Sequence, residues 1–332
     1  MSKKHRIVMI GHGMISHAYL QAFRAHENAE IVGVVGRDSE RVRAYANEHQ
    51  IPVFGTDLAD VAKRAQATAA VICTPNALHD EGVIMASRLG LHCLCEKPLH
   101  ISPERQRVMI ESCRTNQVKL AVSYMRRFIP HMQYIKELIE SGKLGRITVA
   151  DVKIKHFRAK EYYDSWHGTE TIDGGGPFIQ QGSHIIDLML WLCGGYQQVI
   201  EAARFQVYHD IETEDHGYAI VQYKNGAVGM ISASTASVGM SEEAIEISGT
   251  EGSISANYER IVHFDVPGVE PPTFTESESA NETLFYRLVD DFLRAIDEDG
   301  TPFIDGEAAA LATEFIQEIY AKAGKPVRTF SS

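Results

Sequence analysis

Residues 6 to 16 read Arg6-Ile7-Val8-Met9-Ile10-Gly11-His12-Gly13-Met14-Ile15-Ser16, a β-rich apolar run that passes directly into a glycine turn. A helical pattern follows. Strand, Gly-x-Gly-x-x-small, helix is the order that cradles a dinucleotide. The first glycine permits the tight turn, the second lets a pyrophosphate approach the backbone, and the third small residue lets helix and strand pack closely. Ser16 stands where Gly or Ala is usual, and it is small enough to fit. Phosphates would meet the free amides and positive end of the helix. Gly11, His12, Gly13, Met14 and Ile15 are therefore candidate cofactor contacts, against the plainer reading of an ordinary strand-turn-helix.

Outward from that turn, short β-rich runs alternate with amphipathic stretches. After Arg6 to Ile10 come Ile31 to Val35, Ala69 to Cys73, Leu91 to Cys95 and Lys119 to Ser123, with helical patterns such as Ser39 to Gln50 and Ala77 to Leu89 between them. Such alternation predicts βαβ units on a doubly wound parallel sheet, a Rossmann-type α/β domain. From about Gly145 the pattern changes to longer alternating strands: Arg146 to His156, Gln198 to Tyr208, Tyr218 to Tyr223, Ala227 to Ser234, Glu243 to Ser248 and Ser253 to Tyr258. Asn225-Gly226 is a hairpin signal, and Gly249-Thr250-Glu251-Gly252 lies between another pair. A large, mostly antiparallel sheet is expected. Helical stretches Ile185 to Cys193, Thr283 to Glu298 and Glu307 to Ala323 are expected to cover its inner face, leaving the outer face for solvent or another subunit. Pro267 to Ala280 reads as a surface loop. The predicted division is a nucleotide-binding domain over residues 1–124 and an α+β domain over residues 125–332, as the length of 332 residues suggests.

A formal net charge of -12 opposes attraction to nucleic acid or an anionic membrane surface. No apolar run is long enough to span a bilayer, and Met1 to Arg6 carries no signal-peptide pattern. The expectation is a cytoplasmic protein. Cys73, Cys93, Cys95, Cys113 and Cys193 form an odd set within apolar runs, which reads as reduced, buried thiols. Cys93 and Cys95 alternate on one strand without a second pair at ligand spacing, so no metal site is expected.

Two places refine the cofactor reading. About 20 residues beyond the fingerprint, NAD enzymes carry an acid for the ribose diol, but here Gly36 is followed by Arg37 and Asp38. Loss of the acid removes repulsion towards a 2′-phosphate, and the Arg37 guanidinium can pair with it. That favours NADP over NAD. The alternative is a solvated Arg37, with Asp38 reaching back to the ribose. Thr74, Pro75 and Asn76, with His79, end the run at Cys73, and Glu96-Lys97-Pro98 ends the run at Cys95. Both stand at carboxyl ends of parallel strands, where open α/β sheets keep ligands.

Together with the fingerprint, Glu96-Lys97-Pro98 resembles the Gfo/Idh/MocA family, which includes glucose-fructose oxidoreductase and inositol dehydrogenase. The likeness continues through Tyr124-Met125-Arg126-Arg127-Phe128-Ile129-Pro130, Gly142-Lys143-Leu144-Gly145, Gly174-Gly175-Gly176, Gly182-Ser183-His184 and Asp187, over nearly the whole chain. The resemblance implies hydride transfer to or from nicotinamide C4, a second domain that binds substrate and often forms a homodimer or homotetramer interface, and Lys97 and His184 as catalytic positions. Oxidising an alcohol needs a base for the hydroxyl proton, and histidine titrates near the working pH. Lysine can hold the oxygen as a cation or share the proton.

Gln180 stands where many members have Asp, and an amide can orient a hydroxyl without exchanging a proton. Arg126, Tyr162 and Trp166 join it as candidate substrate contacts. They belong to a polar and aromatic run, His156, Arg158, Tyr162, Tyr163, Trp166 and His167, that fits either a carbohydrate pocket or a loop packed on the sheet. Arg127, at the family's arginine position, reads as a salt bridge behind the site, and Asp187 as structural. The implied activity is that of an NAD(P)-dependent dehydrogenase or reductase of a sugar, sugar acid, cyclitol or nucleotide sugar. Its rivals are a non-catalytic NAD(P)-binding regulator, which retention of Lys97 and His184 opposes, and a redox glycosidase that holds NAD tightly.

Overall fold

The computed structural model describes residues 4–330, so Met1 to Lys3, part of the stretch read for a signal peptide, lie outside the described residues. The chain opens with β1 (His5–Ile10), α1 (Ser16–Ala25), β2 (Ala29–Val35), α2 (Ser39–Glu48), β3 (Val53–Gly55), α3 (Leu58–Ala65), β4 (Ala69–Ile72), α4 (His79–Arg88), β5 (His92–Cys95), α5 (Pro103–Thr115) and β6 (Leu120–Val122). It continues through α6 (Pro130–Glu140), β7 (Ile147–Phe157), α7 (Ser183–Leu192), β8 (Tyr196–Gln206), β9 (His216–Tyr223), β10 (Val228–Ser234), β11 (Ala236–Gly249), β12 (Ser253–Asn257) and β13 (Ile261–Asp265). α8 (Asn281–Asp297), α9 (Gly306–Ala323) and β14 (Val327–Arg328) complete it. Two compact units result: Met1–Ser123 with Asn281–Ala310, and Tyr124–Ala280 with Leu311–Ser332.

The first unit holds a six-stranded sheet in the order β3-β2-β1-β4-β5-β6, with every pairing parallel. Helices on both faces require apolar residues on both, and β4 is buried at every position. The strand order reverses between β1 and β4, so the sheet parts there at its carboxyl end. Asp38, Asp57 and Ser102 cap α2, α3 and α5 through side-chain oxygens, whereas α1 has no side-chain cap.

The second unit holds eight strands in the order β13-β12-β11-β7-β10-β9-β8-β14. Among the described pairings of this second sheet, only β7 with β10 and β8 with β14 are parallel. Alternation is clear in β9, where Gly217, Ala219, Val221 and Tyr223 are buried while Tyr218 and Ile220 are exposed. On the exposed face, Met230 pairs with Ile220 and Val228 with Val149, and all four are more than 40% exposed.

α7 is buried along nearly its whole length, and the second half of α9 holds β8 through the Glu318 carboxylate on the Val199 amide at 3.0 Å. One helix departs from the sequence reading. The stretch expected from Thr283 to Glu298, observed as α8, lies in the first unit rather than on the antiparallel sheet. Phe285 packs edge-on against Tyr19 of α1 at 5.1 Å, and Asp297 and Asp290 meet His5 and His26. An amphipathic pattern shows that a helix has one apolar face, not which sheet receives it. Of the described strands, β3, β13 and β14 had no counterpart in the sequence reading.

Candidate active site

In the first unit, Gly11 follows β1 with φ 92°, and a β-carbon there would lie 2.7 Å from the Cys73 carbonyl oxygen beyond β4. Glycine is required on both counts. Gly13 has open space on its Cα side, with nothing within 4 Å of where a β-carbon would stand, and Met14 and Ile15 are exposed. Ser16 is buried, its Oγ donating to the Gly13 carbonyl at 2.6 Å and paired with the Tyr45 hydroxyl at 2.8 Å. The uncapped first turn of α1, open on the side where a pyrophosphate would come, fits a dinucleotide.

At the end of β2, Gly36 lies against the His12 imidazole. Arg37 is exposed. The Asp38 Oδ1 accepts from the amides of Glu40 and Arg41 at 3.0 and 3.1 Å, so its carboxylate caps α2. Thr74 and Pro75 are half-buried and Asn76 is buried, in the turn after β4.

Glu96, at the end of β5, is wholly buried. It accepts from the Tyr19 hydroxyl at 2.6 Å and the Lys97 amide at 3.0 Å. Burial pushes its carboxyl upward, opposed by the Lys97 charge. Lys97 itself is half-buried at the strand's end. His79 is fully buried, its Nε2 2.9 Å from the Thr74 carbonyl and its Nδ1 2.8 Å from that of Pro98, so it ties the turn after β4 to the turn after β5. Burial pushes its imidazole below the usual range. Gly11, Thr74 and Lys97 thus share one end of one sheet.

In the second unit, Gln180 Nε2 lies 2.9 Å from His167 Nδ1. The His167 ring stacks on Tyr162 at 4.1 Å with planes 4° apart, and Trp166 lies 4.0 Å away. Gln181 donates to the Tyr162 hydroxyl at 3.2 Å, and Arg158 sits over the Tyr162 ring. Burial, with the Asp173 charge, pushes the Tyr162 phenol up to about 12. His184, in the first turn of α7, is half-buried and meets Tyr124 edge-on at 5.9 Å.

Not every residue of the predicted run joins this cluster. His156 turns to Glu243, and Tyr163 donates to Thr235 at 2.8 Å. The Arg126 guanidinium lies over the Tyr258 ring at 4.3 Å. Arg127 makes a buried, two-pronged bond to Asp187 at 2.6 and 2.8 Å, the salt bridge that the sequence suggested for it. Burial pushes the Asp187 carboxyl upward against the guanidinium.

Supporting residues around the triple glycine went unread. Asp173 accepts from the Gly168 amide at 2.8 Å beside His167, and its place just before the triple glycine was the available signal. Glu214 is buried among Arg204, Tyr320 and the Gly176 amide, at 3.2, 2.9 and 3.1 Å. A β-carbon at Gly175 would run into the Tyr320 hydroxyl, and one at Gly176 into the Glu214 carbonyl. Those close approaches require glycine at 175 and 176, and Gly174 has a φ of 85°. No spacing pattern announces them.

All five cysteines are buried free thiols, and burial pushes those of Cys73 and Cys95 well up. Among the described residues no helix is long and apolar enough to cross a membrane.

The family described as "Oxidoreductase family, NAD-binding Rossmann fold" matches residues 5–124, and the "GFO/IDH/MocA C-terminal domain" matches residues 132–255. The chain belongs to the Gfo/Idh/MocA family of NAD-binding oxidoreductases, and it is an enzyme of the dehydrogenase class. It is similar to the inositol 2-dehydrogenase of Rhizobium meliloti (strain 1021), at 25% identity over 96% of this chain and 97% of that one. The D-glucoside 3-dehydrogenase of Escherichia coli (strain K12) is 21% identical over 96% of this chain and 95% of that one. Among solved structures, the WlbA dehydrogenase from Bordetella pertussis in complex with NADH and UDP-GlcNAcA matches with TM-score 0.90 and 27% identity, covering 97% of this chain and 96% of that one.

Proposed function

We propose that this chain moves a hydride between nicotinamide C4 and a hydroxyl-bearing carbon of a sugar, sugar acid, cyclitol or nucleotide sugar. Lys97 and His184 act on the reacting oxygen. When bound, the cofactor supplies the hydride acceptor or donor. Lys97 holds and polarises the oxygen as a cation, and the pair exchanges the hydroxyl proton. Gln180, neutral where relatives often carry Asp, orients a hydroxyl through its amide.

The observation that carries the substrate class is the Tyr162, Trp166 and His167 ring cluster held to Gln180 and Gln181. Stacked rings beside amides offer a sugar an apolar face and hydrogen-bond partners together. The similarity to a dehydrogenase whose structure holds UDP-GlcNAcA supports testing nucleotide-linked acids first. Nicotinamide absorbance should change with one class in a panel of nucleotide sugars, free sugars, sugar acids and cyclitols offered with each cofactor. Firm cofactor binding without turnover of any panel member would favour the sensor instead. Glycoside cleavage with no net absorbance change would favour the redox glycosidase.

The reading includes a preference for NADP. Gly36 offers no carboxylate to the ribose, Arg37 is exposed beside it, and the Asp38 carboxylate is engaged at the cap of α2. Similar structures hold NADH, so this preference would set the chain apart from them. Calorimetric titration should show NADPH binding more tightly than NADH, with Arg37→Ala shrinking the difference. Equal affinities that the substitution leaves unchanged would refute it.

The reading also includes a homodimer or homotetramer through the outer face of the second sheet, where Val149, Ile220, Val228 and Met230 form an exposed apolar patch. Light scattering at micromolar protein should give a multiple of the chain mass of 36.9 kDa. A mass of one chain would count against it. Buried free thiols suit a cytoplasmic enzyme.

A further inference from the structure

His12, the middle residue of the Gly11-His12-Gly13 turn, is half-buried and leans away from the turn towards the end of β2. A β-carbon at Gly36 would lie 2.6 Å from its Nε2. An acidic side chain at position 36 would therefore have to displace the imidazole. His12 fills the place from which the ribose acid of an NAD site would reach.

The imidazole is also held there. Its ring lies 5.5 Å from that of Tyr45 on α2, and the Tyr45 hydroxyl is fixed by Ser16, the third small residue of the fingerprint. Around the same phenol ring stand His17 at 5.6 Å and His49 at 4.4 Å. The charged and titratable groups on the elements packed here include Glu40, Arg41, Arg43 and Glu48 of α2, all exposed, and the buried Cys73 thiol near Tyr45. On the chain after Gly36 stand Arg37, exposed, and Asp38, drawn to its cap. Around α2 stand Tyr45, His17 and His49, the last beside Glu48, with the Arg24 guanidinium on the His49 carbonyl.

We propose that His12 is a cofactor-selectivity residue, its imidazole serving as a pH-dependent partner for the 2′-phosphate of NADP(H) alongside the fixed cation Arg37. This rests on the NADP preference proposed above. Histidine changes charge between pH 5 and 8, whereas arginine does not. Protonated, His12 offers the phosphate an ion pair. Neutral, it offers a single hydrogen bond. NADH lacks that phosphate and gains from the proton only through the pyrophosphate that both cofactors share, a contribution that cancels in the ratio of the two affinities.

The test measures Kd for NADPH and NADH by nicotinamide fluorescence at about pH 8 and about pH 6, in the native chain, His12→Asn, His12→Gln and Arg37→Ala. The phosphate itself titrates near pH ~6, so the readout is the NADPH-to-NADH affinity ratio of the native chain divided by that of the His12 variant. NADH binding in each variant checks that the site is folded. The divided ratio should rise by about fivefold on acidification, the scale of one partly exposed charge pair. A divided ratio that does not change with pH in either His12 variant would overturn the role of His12. An undivided ratio of one throughout, unmoved by Arg37→Ala, would instead overturn the NADP preference.

Discussion

Alanine in place of Lys97 or His184 should lower turnover by about 10²-fold or more, the loss expected when a positioned proton-transfer group is removed. Cofactor affinity should hardly move, because the Gly11 to Ser16 turn is intact in both variants. Gln180 provides the contrast. Its amide already leans on His167 at 2.9 Å, so Gln180→Ala should mainly raise KM, and Gln180→Asp should keep turnover while shifting its pH profile. Steady-state kinetics across pH with the first substrate found checks all four. Native turnover in both Lys97→Ala and His184→Ala would remove the catalytic assignment and bring forward the sensor.

Asp187→Ala should cost ~3–5 kcal/mol, because it leaves the Arg127 guanidinium buried without its carboxylate. Both side chains are nearly inaccessible, at 6% and 2% exposed, and they meet through two hydrogen bonds. Desolvating either ion is repaid chiefly by the other, with the Trp191 ring a further neighbour of the guanidinium. Replacing both, as Arg127→Met with Asp187→Leu, should cost much less. Urea denaturation of the single and double variants decides between these outcomes. Equal losses in both would mean that packing, not charge, sets the cost.

The two parts of the site differed in how far they could be read in advance. The Gly11 turn was legible because its chemistry is local, with one strand, one turn and one helix between His5 and Ala25. Lys97 was legible for a similar reason, since it ends a run whose parallel neighbours were already predicted. Arg127 and Asp187, 60 residues apart, came through the family resemblance rather than through spacing. Glu214 and Tyr320 are separated by 106 residues, and nothing in either neighbourhood points to the other. β3 and β14, with three and two residues, are too short for alternation to register. His79 was read as a cofactor contact from its position, while its complete burial between two carbonyls depends on the turn after β5, which local pattern does not supply.

The return of α8 to the first unit bears on how the chain is made. Residues Met1–Ser123 leave the ribosome long before Asn281–Ala310, by on the order of ten seconds at ordinary synthesis rates. Until then, Tyr19 and its neighbours on α1 lack the Phe285 surface that covers them in the finished protein. The nucleotide-binding unit is therefore completed late, although most of it is synthesised first. A fragment ended at Ser123 should carry the entire glycine turn yet present a bare apolar flank, which makes it a poor stand-alone nucleotide binder and a ready client for chaperones.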